Sequence, residues 1–197
     1  MKTSTPSFFK IHPRVCALIL ATTKGSRLFP MTSTEMPKHM LPIAGIPCIL
    51  RLLESLAYLP QIVVAISAED ASTLPLLRSE LGGNDASDTT EEDSNVTVIS
   101  VKGLSQTLTV VRLSPDCFGT ADALREVEET KIVHPSSRLV VVPGDLVFLQ
   151  KSVNLDSLLR PPSDSDCAVL LVDVGEVDEH GIPLKESAKV SELSQSR

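Results

Sequence analysis

The sequence contains no tryptophan and a single tyrosine, and aromatic residues make up only 3% of its 197 residues. Proteins that bind single-stranded nucleic acid stack its bases on aromatic side chains, so such a surface is not expected here. The net charge of −7 at pH 7 also opposes contact with a polyanion. We therefore predict no direct binding to nucleic acid, although a local basic pocket for a small phosphate ligand stays open.

Cysteine is also scarce, and its four residues are widely separated along the chain. No Cys-x-x-Cys pair occurs, so a zinc site is not expected. Cys16 and Cys167 lie inside apolar runs, where a reduced thiol behaves as a small hydrophobic group. Buried, reduced thiols are typical of a cytosolic protein, and we predict a cytoplasmic location.

The sequence lacks an apolar run long enough to span a membrane, so no membrane association is expected. Residues 1–14 carry charge and proline before the first apolar run, which predicts a flexible lead-in rather than a signal peptide. A main domain is predicted over residues 15–176. Within it, residues 82–95 are acidic, small and polar and predict a disordered insertion. Residues 177–197 lose apolar periodicity and are expected to form a frayed tail.

Short apolar runs alternate with helical patterns along the predicted domain. Unbroken runs predict buried parallel strands at residues 15–20, 62–66, 139–142 and 168–172. Leucine spacing and helix-end signals predict helices at residues 49–59, 71–81 and 120–129. Two further segments, 96–101 and 107–113, predict an added β pair. The pattern is typical of the α/β class, with a Rossmann-like, mostly parallel sheet and helices on both faces.

The first candidate site is the loop after the first predicted strand. In phosphate-binding loops of α/β folds, backbone N–H groups hold anionic oxygens and glycine lets the backbone approach closely. Only Gly25 remains in this loop, because the preceding positions are Thr22 and Thr23, for which positive φ is costly. The loop therefore either takes another shape or does not wrap a triphosphate. Arg27 is suited to pair with phosphate, but an ordinary turn with exposed basic residues fits equally.

The second candidate site is the segment Met-Pro-Lys-His-Met-Leu-Pro. Pro37 and Pro42 restrict the backbone on both sides of Lys38, which favours a fixed direction for its ammonium group. A positioned ammonium suits a phosphate ligand, and a solvated loop lysine is the alternative. His39 has no evident partner in the sequence, so we expect it on the surface.

The third candidate site lies at the start of the predicted helix 120–129. Gly119 allows another group to approach the backbone closely, and Thr120 opens the helix, whose N-terminus attracts acceptor groups. A helix cap with nothing bound is the alternative interpretation.

The fourth candidate site is Asp145, which follows the apolar run 139–142. Ligands of open α/β sheets bind outside the carboxyl ends of the strands, and a carboxylate there suits Mg²⁺. An aspartate that stabilises the turn is equally consistent with the pattern.

The order of these motifs is more specific than any of them alone. An apolar strand precedes G-S-R-L-x-P-x-T, and then follow M-P-K-x-M-L-P-I, G-T-A-D-A-L and a G-D after another apolar strand. Over about residues 15–172 this order resembles the nucleotide-sugar pyrophosphorylase (nucleotidyltransferase) superfamily, whose members join a nucleoside triphosphate to a sugar 1-phosphate with Mg²⁺. The resemblance implies nucleotide contacts at Gly25, Arg27, Lys38, Gly119 and Thr120, and a metal ligand at Asp145.

The sequence also departs from the superfamily pattern. Thr22 and Thr23 stand where the loop usually begins with two glycines, and Ile46 stands where a second lysine usually precedes proline. The domain of the superfamily continues for several more strands, so the fold is expected to be truncated here. These departures favour a degenerate site with no catalytic residues and no bound cofactor.

Within the superfamily, G-T-A-D-A-L-R and G-D-L-V look most like the gamma-subunit family of eukaryotic translation initiation factor 2B. That resemblance implies a non-catalytic subunit of the guanine-nucleotide exchange factor for initiation factor 2. Its implied partners are sister subunits, especially epsilon, and initiation factor 2 itself. The alternative is a Mg²⁺-dependent sugar-1-phosphate nucleotidyltransferase, such as a mannose-1-phosphate guanylyltransferase, with Arg27 and Lys38 as catalytic residues. A shortened product without an independent role is a third alternative.

Overall fold

The computed structural model describes residues 15–23, 25–82, 95–101, 107–117, 119–135, 137–147, 169–173 and 189–193. For residue 107 and for the last two ranges the description covers the backbone alone. The chain divides into two compact units, Met1–Val147 and Phe148–Arg197.

The first unit contains a five-stranded sheet with the strand order β5-β6-β4-β1-β7. Its strands are β1 (Val15–Ala21), β4 (Gln61–Ile66), β5 (Val96–Ser100), β6 (Thr107–Arg112) and β7 (Arg138–Pro143). The three pairs that β1, β4, β6 and β7 form are parallel, and β5 pairs with β6 antiparallel. The mostly parallel, Rossmann-like sheet and the added β pair are therefore confirmed.

Three helices accompany this sheet among the described residues: α1 (Cys48–Leu56), α2 (Thr73–Leu81) and α3 (Thr120–Glu129). They coincide with the three predicted helices to within three residues at each end. A short hairpin of β2 (Pro42–Ile43) and β3 (Ile46–Pro47) leads into α1. None of the described helices is both long and apolar enough to cross a membrane.

The core surrounds β1 and β4, which are buried on both faces. Cys16 and Leu18 of β1 belong to a buried cluster that includes Ala123 and Val127 of α3. The alternate residues of β1, Ala17 and Ile19, point to the opposite face of the sheet and are also fully buried. A strand that is covered on both faces needs apolar residues at every position, which explains the unbroken runs in the sequence.

The second unit contains a two-stranded antiparallel sheet of β8 (Val169–Asp173) and β9 (Lys189–Leu193). The prediction that the run 168–172 forms a strand of the parallel sheet is therefore wrong. A short apolar run indicates a buried strand but does not tell a parallel from an antiparallel partner. The expected frayed tail also contains β9, whose pairing depends on a partner about twenty residues away. The predicted lead-in, most of the acidic insertion and the rest of the tail lie outside the described residues.

Candidate functional site

The candidate site lies where the parallel strands end. The chain runs from β1 to β4 and then to β6 in one direction across the sheet, and β7 then pairs on the other side of β1. The strand order therefore reverses between β1 and β7. In open α/β sheets such a reversal opens a crevice at the carboxyl ends of the strands, and ligands bind there.

Gly144 places Asp145 at this reversal. The backbone N–H of Gly144 donates to the carbonyl of Leu20 at 2.8 Å. A Cβ on Gly144 would lie 3.0 Å from the Cα and Cβ of Ala21 and from the Leu20 carbonyl oxygen. These atoms belong to the neighbouring strand β1. Any residue larger than glycine would therefore force the backbone at position 144 or strand β1 to shift. The next residue, Asp145, therefore begins directly beside the end of β1.

Lys38 reaches Asp145 from a single turn of 3₁₀ helix, Lys38–Met40. The turn is closed by a hydrogen bond from the Met40 N–H to the Pro37 carbonyl at 2.9 Å. The Lys38 ammonium forms an ion pair with Asp145 Oδ2, and the two side chains are 38% and 25% exposed. The sequence left open whether each residue was a ligand group or a local surface feature, and the structure brings the two together.

Gly25 packs against the base of Lys38. Its φ of 70° lies in the left-handed region, and a Cβ there would come within 2.9 Å of Lys38 Cβ and 3.1 Å of Thr32 Cγ2. The hydroxyl of Thr32, itself buried, donates to the Gly25 carbonyl at 2.7 Å. The loop after β1 therefore folds back onto the lysine turn (Lys38–Met40), and glycine is required at position 25 both by its backbone angle and by its close contacts.

The two threonines of the loop keep ordinary backbone angles. Among the described non-glycine residues, positive φ occurs at Ala44 and Lys131 and not at Thr22 or Thr23. The loop therefore needs no positive φ at these two positions, and whether it wraps a triphosphate stays a prediction. Arg27 follows in a short 3₁₀ turn and is exposed.

Gly119 and Thr120 begin α3 as predicted. Gly119 is extended, with a φ of −163°, and a Cβ on it would have open space within 4 Å. Both residues are exposed, and the helix start has no side-chain cap. The nucleoside contact expected at Gly119 and Thr120 stays a prediction.

A cleft opens between the ends of β1, β4 and β6, close to the start of α3. Its volume is about 220 Å³. It is lined by Thr22, Ser67, Glu69, Leu113, Ser114, Pro115 and Cys117. The mixture of hydroxyl, carboxylate and apolar lining is suited to a small polar ligand with a flat or apolar part.

His39 is buried, with 1% of its surface exposed, so the prediction of a surface histidine is wrong. Its Nε2 lies 2.7 Å from Thr73 Oγ1 and 3.1 Å from Asp70 Oδ2. The Thr73 hydroxyl gives its one hydrogen to Asp70 Oδ2 at 2.6 Å, so it accepts from His39. Nε2 therefore carries a proton, whereas the buried Nδ1 has no hydrogen-bond partner in the described part of the chain.

Asp70 collects most of the hydrogen bonds of this cluster. Its Oδ1 accepts from the backbone N–H groups of Ser72 and Thr73 at the start of α2. Burial raises the pKa of Asp70, but hydrogen bonds from His39, Thr73 and Ser72 outweigh it and hold the pKa well below its usual range. The carboxylate is therefore ionised at neutral pH. The sequence shows an aspartate shortly before a predicted helix, a pattern typical of a helix cap. Its hydrogen-bond partner His39 lies 31 residues earlier in the chain, and no sequence pattern links the two.

Two thiols bear on the site and on the core. Burial raises the pKa of Cys16 to about 11, in line with the predicted buried thiol. Cys48 begins α1, and its pKa is raised, chiefly by burial. The negative charge of Asp145 raises this pKa further, and the positive charge of Lys38 lowers it in part. Cys48 is therefore within electrostatic reach of the ion pair. Cys167 lies outside the described residues.

Comparisons with known proteins bear on the family and the fold of the chain. Residues 16–186 match the family model described as Nucleotidyl transferase. A comparison with curated protein sequences gives no match.

Two solved structures have a similar fold. One is a protein from Bacillus anthracis that is provisionally assigned as a glucose-1-phosphate thymidylyltransferase and was solved with sucrose. It is 19% identical to this chain with a TM-score of 0.52, and the match covers 92% of this chain and 69% of the Bacillus chain. The other, HddC from Yersinia pseudotuberculosis, has a TM-score of 0.52, 18% identity, and coverage of 92% of this chain and 74% of its own. At these identities the likeness concerns the fold.

Proposed function

Because the chain belongs to the nucleotidyl transferase family, we propose that its Lys38–Asp145 site transfers a nucleotidyl group to a sugar 1-phosphate. The observation that carries this proposal is the meeting of a lysine and an aspartate where the strand order reverses. The Lys38 ammonium is placed to exchange its carboxylate partner for a phosphate oxygen. Arg27, exposed on the loop beside it, adds a second cation for the phosphates.

The residues present fit a bound Mg²⁺. Mg²⁺ commonly takes one or two carboxylates and completes its shell with water and substrate phosphates. Asp145 supplies one such carboxylate at the carboxyl end of β7 and already faces a cation, Lys38. When bound, the metal would neutralise charge on the phosphates. In the described ranges no group of three or more His, Cys, Asp or Glu residues comes together, so phosphate oxygens and water would complete the metal's coordination.

Transfer of this kind depends on positioning and electrostatic stabilisation more than on a protein base. Lys38 is supported by the Gly25 loop on one side and by the turn that contains Pro37 on the other. That support holds the ammonium in place before a ligand arrives, which lowers the cost of ordering it on binding.

The proposal is tested by pyrophosphate release from nucleoside triphosphates with Mg²⁺ and a panel of sugar 1-phosphates. Lys38→Gln and Asp145→Asn should each reduce turnover by about a hundredfold or more. Lys131→Gln removes an exposed positive charge at the end of α3 and serves as the matched control. Absence of turnover together with absence of nucleotide binding in calorimetry would contradict the proposal.

A second candidate function is a non-catalytic subunit of the exchange factor for translation initiation factor 2. The specific observation in its favour is the loop after β1, where Thr22 and Thr23 keep ordinary backbone angles and Gly25 is the one left-handed position among the loop residues that the structure describes. Fewer left-handed positions leave fewer backbone N–H groups able to converge on a phosphate. The domain would then act in assembly with sister subunits, especially epsilon, and with initiation factor 2 in the cytosol.

Affinity purification of tagged protein from its native host separates the two functions. Recovery of other exchange-factor subunits, with no turnover in the enzyme assay, would favour the assembly role. Recovery of none of these subunits contradicts it, whatever the outcome of the enzyme assay.

A further inference from the structure

Two adjacent residues of the lysine turn contact carboxylates on opposite sides of β1. Lys38 pairs with Asp145, which follows β7, and His39 pairs with Asp70, which follows β4. In the sheet, β4 and β7 are the two neighbours of β1. The turn therefore lies across the end of β1 and is held from both sides.

The two contacts differ in their access to solvent. The side chains of His39 and Asp70 are 2% and 4% exposed, and neither can exchange its partner for a ligand without unpacking. The side chains of Lys38 and Asp145 are exposed enough to do so. One contact is therefore a fixed attachment, and the other is available to a ligand.

The attachment point of His39 is itself held by several hydrogen bonds. The segment between β4 and α2 is held by Arg112 of β6, whose Nη1 donates to the carbonyls of Ala68 at 3.0 Å and Asp70 at 2.8 Å. Asp70 also accepts the N–H groups that begin α2. A side chain that hydrogen-bonds to Asp70 is therefore tied to both a strand and a helix.

We propose that His39 is the positioning residue for Lys38. Its Nε2–H group, hydrogen-bonded to Thr73 and Asp70, fixes the turn so that the preceding residue directs its ammonium to the end of β7. A phosphate that replaces Asp145 then meets Lys38 without a rearrangement of the turn. This inference rests on the proposed phosphate site for its ligand, but not for the state of the free protein.

The test compares side chains that differ in where they carry a donor. His39→Gln places an amide N–H close to the position of Nε2 and should keep the attachment. His39→Asn places its amide close to the position of Nδ1, and His39→Leu has no donor, so both should lose it. Leu77→Ala removes buried apolar atoms from α2 without removing a hydrogen bond of His39, and it is the control for loss of stability alone.

Two measurements are made on each folded variant. The first is the NMR order parameter of the Lys38 side chain in the free protein, which should fall in His39→Asn and His39→Leu and stay high in His39→Gln and Leu77→Ala. The second is the affinity for inorganic pyrophosphate with Mg²⁺ by calorimetry. It should fall about tenfold in His39→Asn and His39→Leu, the size typical of losing a residue that orients a ligand-binding group.

The proposal is overturned if His39→Asn leaves Lys38 as ordered as in the unmodified protein, or if Leu77→Ala disorders Lys38 to the same extent. If His39→Leu does not fold, the comparison of His39→Gln with His39→Asn decides the question, because both keep a polar side chain of similar size. If the unmodified protein binds no pyrophosphate, the proposed function fails, while the order parameters still test the role of His39.

Discussion

The two side-chain contacts of the lysine turn, His39–Asp70 and Lys38–Asp145, are made by adjacent residues but differ in burial and in bonding. His39–Asp70 is buried, shares its hydrogen bonds with Thr73, and is attached to the start of α2. Lys38–Asp145 is open to solvent at the reversal of the strand order. Adjacent residues therefore make one contact that holds the turn and one that is accessible to a ligand.

The difference in burial sets the expected energies. Exposed ion pairs contribute little to stability, because solvent and salt screen them and two long side chains must be ordered. Removing one partner of a buried pair is costly, because the other partner is left without its hydrogen bonds. The chain should therefore tolerate changes in the Lys38–Asp145 pair far better than changes in the His39–Asp70 pair.

The largest effect is expected for Asp70→Ala. It removes the acceptor of His39 and Thr73 and the group that caps α2, so the free energy of unfolding should fall by about 3–5 kcal/mol. Asp145→Ala is the matched control and should change it by no more than about 1 kcal/mol. Urea unfolding curves of both variants check this, and equal losses would remove the distinction between the two pairs.

Gly144→Ala should have the next largest effect. Its Cβ would press against Ala21 and the Leu20 carbonyl at 3.0 Å, which should cost about 1–3 kcal/mol and displace Asp145 from Lys38. Gly119→Ala meets open space and should cost no more than about 1 kcal/mol. Thermal unfolding compares the two, and equal stability of both variants would contradict the close approach of β7 to β1.

Acid should weaken the buried pair through Asp70. Its folded pKa lies below the unfolded value of about 3.9, so its contribution is complete above about pH 5 and is lost as pH falls through the folded pKa. Asp70→Asn does not titrate, so the stability gap between it and the unmodified protein should narrow by about 1–2 kcal/mol between pH 6 and pH 3. Urea midpoints across that range measure the gap.

A gap that stays constant with pH would be evidence against an ionised, hydrogen-bonded Asp70. Leu77→Ala provides the reference for this series, because it adds and removes no titratable group. Its difference from the unmodified protein should hardly change between pH 6 and pH 3.

The smallest effect is expected at Cys48, which reports on the exposed pair. Asp145 raises the pKa of Cys48 and Lys38 lowers it, so Asp145→Asn should speed its alkylation and Lys38→Gln should slow it, each by about two- to fivefold. Rates measured by mass spectrometry at pH 8 check this. Cys16, buried in β1, should react at the same slow rate in both variants, and a parallel change there would indicate general unfolding instead.

The regular elements around the core could be predicted because their causes are local. β1 and β4 are covered on both faces, and such strands need apolar residues at every position, which appear in the sequence as unbroken apolar runs. The start of α3 at Thr120 follows from the preceding glycine and the spacing of buried residues. Lys38 and Asp145 were each identified as a candidate site residue, because the order of the motifs around them matches a family pattern.

The buried pair could not be predicted, because its cause is not local. His39 and Asp70 are 31 residues apart, and a single sequence shows no link between a histidine in a turn and a cap at a later helix. The partner of β8 was missed for the same reason, since an apolar run does not identify the strand beside it. The family pattern pointed to Lys38 and Asp145 as separate site residues, and the contact between them is seen only in the structure.

The anchors at either end of the acidic insertion make it a practical place to modify the protein. Gly82 pairs with Val101, and the Asn95 carbonyl accepts the N–H of Arg112 at 2.7 Å. Both attachments are made by residues outside 83–94, so a protease site or a fluorescent domain introduced there leaves them in place. A chain cut at such a site should stay associated as two fragments across the β4–β6 and β1–β7 pairs, which would give a reporter of folding that leaves the lysine turn untouched.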